Sequence, residues 1–470
     1  MSKKINILWF RKDLRLKDNP ALVKANLNAE ILPIFILDDS NPKENKMGGA
    51  SRVWLYHSLK SLNNSLENKL NFYKGDPIKI IGELIKENKV NGIYWNRCYE
   101  PWEIYRDKEI KNLLNLHNIQ AKSFNGSLIR ESWEMLKEDK TPYKVFTALY
   151  KKSYLNSDIA VKVLNKPIKI NFSSKIDNLV DLDSLKLLPK LPWAEDIIKD
   201  WKVGEQEAHI KINTFFKKGI DDYKEGRNFP SKKNVSRLSP HLHFGEVSPK
   251  QLWVKAKNID SNINIEHFVS EICWREFSYY LLYHFPNLPK DNLQKKFNSF
   301  PWIDNDYYFD SWKKGMTGYP IIDAGMRELY ATGYMHNRVR MVVASFLVKN
   351  LLIHWHKGER WFWDCLFDAD LANNTVSWQW VAGSGADAAP YFRIFNPITQ
   401  GKKFDEDGEY TKKYVPELRD MPKKYLFNPW DAPDNVLKKA NITLGVNYPR
   451  PIVDIKISRE KALESFRQIK

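Results

Sequence analysis

Over the first 125 residues, short apolar runs alternate with amphipathic stretches. The runs at 5–10, 31–38, 71–75, 92–95 and 121–124 predict strands. Helical segments fall between them. The clearest opens with Asp76 as N-cap and Pro77 at the first helical position, then continues IKIIGELIKEN with apolar residues three and four apart. Strands and helices alternating at this period predict an α/β domain with a parallel, doubly wound, Rossmann-like sheet over residues 1–126.

From 127 to 204 the pattern breaks up. Pro142, Pro167, Pro189 and Pro192 interrupt a stretch rich in Lys, Asn and Asp, which predicts a long connector. Beyond it strand alternation is scarce, and 205–218, 249–257, 265–284 and 320–332 carry helical patterning, so 205–470 is expected to be an all-α domain. Residues 337–356 are apolar almost all round and predict one continuous helix surrounded by protein.

Composition narrows the function classes. A chain of 470 residues has room for two or three domains, and 43% hydrophobic with 28% charged residues is an ordinary globular balance. The net charge of +17 favours a polyanionic partner. Cys98, Cys273 and Cys365 lie far apart and offer neither a disulfide framework nor a zinc or redox pair. No stretch reads as a signal peptide or membrane span, so a cytoplasmic protein is expected.

Arginine use is local. The chain has 18 Arg against 56 Lys, yet between 318 and 400 there are five Arg and two Lys. Arg327, Arg338, Arg340, Arg360 and Arg393 supply planar forks suited to carboxylate or phosphate. The phosphate-loop, zinc-protease and hydrolase-elbow signatures are absent, and the paired histidines 241/243 and 354/356 lack accompanying carboxylates, so no metal site is expected. In Ser236-Arg237-Leu238-Ser239-Pro240, two hydroxyls and an Arg precede a Pro-started helix, an arrangement suited to phosphate and equally to simple capping.

Longer motifs give these features a common context. LWFRKDLRLKDNPAL from Leu8, SRLSPHLHFGEVSP from Ser236, EICWREF from Glu271, GYPIIDAGMREL from Gly318, GYMHNRVRM from Gly333 and WQWVAGSGADAAPYFRIFNP from Trp378 together resemble the cryptochrome and photolyase family. Within it the chain is most similar to class I cyclobutane pyrimidine dimer photolyases. The resemblance implies an amino-terminal antenna domain, an FAD-binding catalytic domain, and light-driven repair of pyrimidine dimers in UV-damaged DNA.

By matching positions, it also implies that Tyr223, Ser236, Arg237, Leu238 and Ser239 hold the flavin diphosphate. Arg275, Asn337, Arg340, Asp368, Asp370 and Asn374 are expected to surround the ribityl chain and isoalloxazine, with Asn374 near N5. A neutral Asn there can turn its amide to suit different flavin charge states, and suits anionic FADH⁻. Glu271 and Trp274 would meet the lesion's edge and face, with Met341 and Trp380 completing an apolar slot and Arg338 and Arg393 on phosphates. The lesion must leave the duplex, a cost that stacking on the rings offsets. Excited FADH⁻ would then donate an electron, with Glu271 stabilising the radical anion and Trp378, Trp355 and Trp302 refilling an oxidised flavin.

Two departures stand out. Val235 replaces a common Thr, removing one hydroxyl beside the phosphates, and the segment from Trp95 to Asp107 leaves the antenna open between methenyltetrahydrofolate and a deazaflavin, with Glu103 as a folate contact. A monomer that associates with the nucleoid through DNA is expected. The alternative is a cryptochrome-type blue-light receptor carrying FAD. Asn374, Met341, Glu271 and the lack of a long carboxyl-terminal extension favour repair.

Overall fold

The computed structural model describes residues 5–27, 29–157, 159–173, 180–388 and 392–469. They form two compact units. The first comprises residues 1–218, 236–286 and 367–372; the second comprises 219–235, 287–366 and 373–470. The helices between 239 and 284 therefore belong with the sheet, across the sequence boundary drawn at 204.

The first unit is built on five parallel strands, β1 (Ile5–Phe10), β2 (Glu30–Leu37), β3 (Asn71–Lys74), β4 (Val90–Asn96) and β5 (Gln120–Phe124), in the order β3-β2-β1-β4-β5. That order is doubly wound, as the strand–helix alternation requires. Every residue of β1 is buried, and Ile7, Trp9, Ile34, Ile93 and Trp95 form the core with Ile81, Ile110 and Leu114 from the covering helices. The helix at Pro77–Glu87 starts as its sequence dictates: the Asp76 carboxylate accepts from Ile78 N at 3.0 Å, and Pro77 supplies a preset φ where no donor is needed.

At the carboxyl ends of β1 and β4, Arg11 is buried. Its Nη1 donates to both carboxylate oxygens of Asp107 at 2.7 and 2.8 Å, and its Nη2 donates to the carbonyl of Asn96. Arg106 bridges Asp38 at 3.1 Å and Asp107 at 3.2 Å, and Asn96 donates to Asp13 at 2.6 Å. The connector returns to the sheet, where Ile31 N donates to Asn171 O at 2.7 Å and Ser173 N to Ile31 O at 2.9 Å.

Helices at Glu205–Lys218, Pro249–Lys257 and Pro320–Thr332 coincide with the predicted spans, and Ile263–His284 begins two residues early. The continuous helix expected over 337–356 is instead broken. An α-helix at Asn337–Ser345 passes into a π turn at Phe346–Asn350, Leu352 takes a left-handed φ of 53°, and His354 caps a new helix at Trp355–Cys365. Apolar periodicity reports burial on all sides and does not register a backbone reversal between two buried helices.

Candidate functional site

In the first unit, the chain enters the short helix Ser239–His243 through an unusual backbone. Arg237 is left-handed at φ 51°, and Leu238 follows at φ −91°, ψ −4°. A left-handed residue followed by a right-handed one turns successive N–H groups toward one point, the pattern of an anion-binding nest. For a non-glycine residue that conformation costs roughly 1–2 kcal/mol, which the surroundings must offset. Ser236 is half-buried, Ser239 exposed, and the exposed Arg237 rests its guanidinium 4.3 Å from the Trp201 ring. The helix has only five residues, so its macrodipole is short and the hydroxyls and nest amides are the main polar groups of this loop.

Beneath this loop lies a buried polar cluster. Glu246 accepts from Trp54 Nε1 at 3.1 Å and pairs with His241 at 2.5 Å, all three side chains being fully enclosed. Asp370 accepts from the Tyr279 hydroxyl and lies 3.8 Å from His243. Burial raises the pKa of Asp370, but His243 and Arg275 more than offset it and hold the carboxyl well below its ordinary range. Arg275 donates to Ser127 O at 2.9 Å and covers the Tyr279 ring at 4.5 Å. Asp368 is half-buried.

On the helix Ile263–His284, Glu271 is half-buried and 3.8 Å from His267 one turn earlier. Trp274 is also half-buried, and one of its faces is taken: Phe146 stacks on it at 3.8 Å and 12°, with Tyr150 stacked on Phe146 in turn at 5.3 Å and 9°. Phe146 and Tyr150 lie in the predicted connector, and only their four-residue spacing hinted at a shared helical face. Phe277 also meets Trp274 edge-on at 5.8 Å. Glu103 is buried, its carboxylate 3.6 Å from Lys12 and 3.8 Å from Arg106.

In the second unit, the helix Asn337–Ser345 begins with the predicted residues. Neutral His336 caps it by accepting from Arg338 N at 3.2 Å. Burial, joined by Arg227, Arg340 and Arg338, drives the His336 pKa down to about 3. Arg227 is a cation of this group that sequence reasoning missed. Arg338 Nη2 donates to the side-chain Oδ1 of Asn228 at 2.5 Å and lies 4.4 Å from the Phe404 ring, and Arg340 Nε donates to Met335 O at 2.7 Å. Asn337 and Arg393 are exposed, Met341 is half-buried, and Tyr223 is buried under Arg227 at 5.6 Å.

Asn374 is buried, and its Nδ2 donates to the backbone carbonyl of Glu359 at 3.0 Å. The amide expected to turn freely is thus pinned, and among the described residues nothing donates to its Oδ1. The Glu359 carboxyl accepts from the Thr375 hydroxyl, and burial pushes its pKa up to about 7. One helical turn on, Trp378 packs against Phe362 at 5.0 Å and Trp312 at 6.2 Å. A Cβ at Gly358 would overlap its ring, so glycine is what admits it. Trp355 donates to Asn292 at 3.0 Å, and Trp355 and Trp302 both contact His354, at 5.7 and 5.0 Å. Trp380 Nε1 donates to Asp387 O at 3.2 Å.

The parallel doubly wound sheet is thus followed by a helical carboxyl-terminal region. Residues 6–166 match the family model for DNA photolyase, and residues 268–468 match that for the FAD binding domain of DNA photolyase. The chain belongs to the photolyase and cryptochrome family.

It is 44% identical to a deoxyribodipyrimidine photo-lyase of Agrobacterium fabrum, over 99% of this chain and 98% of the relative. It is 36% identical to cryptochrome-2 of Arabidopsis thaliana, over 100% of this chain and 80% of the relative. The crystal structure of a bacterial class III photolyase from Agrobacterium tumefaciens superposes with a TM-score of 0.95 at 44% identity, covering 100% of this chain and 98% of that one. That relative is described as class III, where the sequence motifs had pointed to class I. Among the described residues, no helix is long and apolar enough to cross a membrane.

Proposed function

We propose that the protein is a light-driven deoxyribodipyrimidine photolyase that splits cyclobutane pyrimidine dimers in UV-damaged DNA, of the class III kind. The observation that carries this reading is Asn374. With Nδ2 committed to the Glu359 carbonyl, the residue offers an uncharged acceptor oxygen, which adds no negative charge against a reduced flavin anion.

Reduced FAD, when bound, would supply light-excited one-electron chemistry. The nest at Arg237 and Leu238, with Ser236, Ser239 and Tyr223, would hold its diphosphate, and Arg275, Asn337, Arg340, Asp368 and Asp370 would hold the rest. Trp274, held by Phe146, would stack on the extruded lesion, where a stacked ring is worth roughly 1–3 kcal/mol. Glu271 takes the pyrimidine edge, Met341 and Trp380 keep water from the slot, and Arg338 and Arg393 engage backbone phosphates. Trp378, Trp355 and Trp302 relay electrons from the surface. A folate or deazaflavin antenna completes the reading.

The test is to incubate the purified holoprotein with a dimer-containing oligonucleotide under blue light and in darkness, and to measure restored thymines. Light-dependent restoration is expected. Equal yields in both conditions would overturn the proposal and leave the photoreceptor reading, favoured by the identity to cryptochrome-2, as its successor.

A further inference from the structure

The helix that begins at Asn337 ends in the π turn Phe346–Asn350, where Leu351 N donates back to Phe346 O at 3.0 Å. Single π turns recur at functional sites. Lys349 lies in this one and is 3% exposed, a rare setting for lysine. Among the described residues no carboxylate faces it. Its ammonium donates instead to the backbone carbonyl of Arg393 at 2.5 Å and sits 4.2 Å from the centre of the Phe392 ring. Burial, together with the charge of Arg393, pushes the Lys349 pKa down to about 7. An apolar side chain would fill this space without that cost, so what the ammonium holds is the point of interest.

It holds one short segment. Phe392 stacks on Phe466 at 4.6 Å and 5°. Ser345, four residues before Lys349, accepts from Phe395 N at 3.2 Å, and Asn396 then caps the helix Pro397–Phe404. Arg393 is thus an exposed side chain on a backbone gripped from both sides by the helix that carries Arg338. The two guanidinium groups are close enough for the charge of Arg393 to help depress the Arg338 pKa, after burial and Arg227.

We propose that Lys349 is a positioning residue that, with Ser345, staples segment 392–395 to the Arg338 helix and so fixes the spacing of two cationic contacts for a DNA backbone. The staple itself stands on geometry alone; its use on DNA rests on the repair reading above.

Two measurements on the holoprotein separate these parts. The first is the rate of tryptic cleavage after Arg393. Lys349→Met should accelerate it by about tenfold with flavin content unchanged, and Lys349→Arg should restore protection. Ser345→Ala, which removes a single hydrogen bond, should loosen the same bond to a smaller extent and serves if Lys349→Met does not fold. Unchanged cleavage in these variants would overturn the staple.

The second is binding of dimer-containing duplex as a function of salt. Lys349→Met and Arg393→Ala should each lower the log–log slope by about 0.9, one phosphate's worth, and the double variant no further. Additive losses of affinity would show that Lys349 acts by another route. A slope unchanged by Arg393→Ala, with faster cleavage in Lys349→Met, would keep the staple and overturn the DNA contact.

Discussion

Glu359 allows the environment of Asn374 to be probed through proton binding. Its carboxyl is buried, accepts one hydrogen bond from Thr375, and keeps its proton up to about 7, where the ordinary value is 4.5. Burial is the largest cause, and the Thr375 hydrogen bond opposes it only in part. Between those two values the folded state binds more protons than the unfolded state, so stability falls as pH rises through the interval and levels off above the folded value. At about 1.4 kcal/mol per pH unit, the loss by pH 8 is about 3 kcal/mol. Glu359→Gln keeps an acceptor for Thr375 and leaves the backbone carbonyl that pins Asn374 untouched, so it removes the titration and little else. For a unit of this size the difference corresponds to a Tm change on the order of 6–12 °C. Thermal melts of wild-type and Glu359→Gln holoprotein should diverge from about pH 5 to about pH 7 and hold a constant separation up to about pH 8, with the variant the more stable at the alkaline end. Parallel curves would refute the reasoning, since they would mean that Glu359 is ionised in the folded protein or screened by water.

Asp370 has the opposite sign. Its folded pKa is lowered, so its contribution is present above the ordinary carboxylate range and lost as pH falls through the folded value. Asp370→Asn should therefore flatten the acid side of the stability curve, read from melts below about pH 5. Trp274→Ala should weaken binding of dimer-containing DNA by roughly 1–3 kcal/mol in an anisotropy titration, and Phe146→Ala should weaken it less, with the flavin absorbance retained in both. Arg338→Ala should reduce the salt slope of DNA binding by about 0.9 without altering discrimination between base sequences flanking the lesion, because a phosphate contact carries no base information.

Much of the architecture was legible because it is local. The Asp76-Pro77 helix start, the five apolar runs of the sheet and the helix Pro249–Lys257 follow from spacing and capping, and each lies where the sequence predicts. What escaped depends on contacts distant in sequence. The backbone break near Leu352 hides inside an apolar stretch because both sides of it are buried. Phe146 lies in a segment whose prolines and polar residues read as loop, and only the folded chain brings it 128 residues across to Trp274. Glu359 and Lys349 carry no motif; their significance lies in burial, which a charged letter in a sequence conceals. The long motifs delivered the family, whereas the subdivision within it was read as class I and the similar crystal structure is described as class III.

The sheet also sets a buried ion pair at the point where its winding reverses. In doubly wound proteins the natural berth is the crevice outside the strand ends where the winding reverses, here between β1 and β4. At that mouth Arg11 Nη1 donates to both carboxylate oxygens of Asp107, and its Nη2 donates to the carbonyl of Asn96. Prising the pair apart would strand a buried charge, at a penalty of about 3–5 kcal/mol. This end of the sheet is therefore braced by charges that hold one another in place.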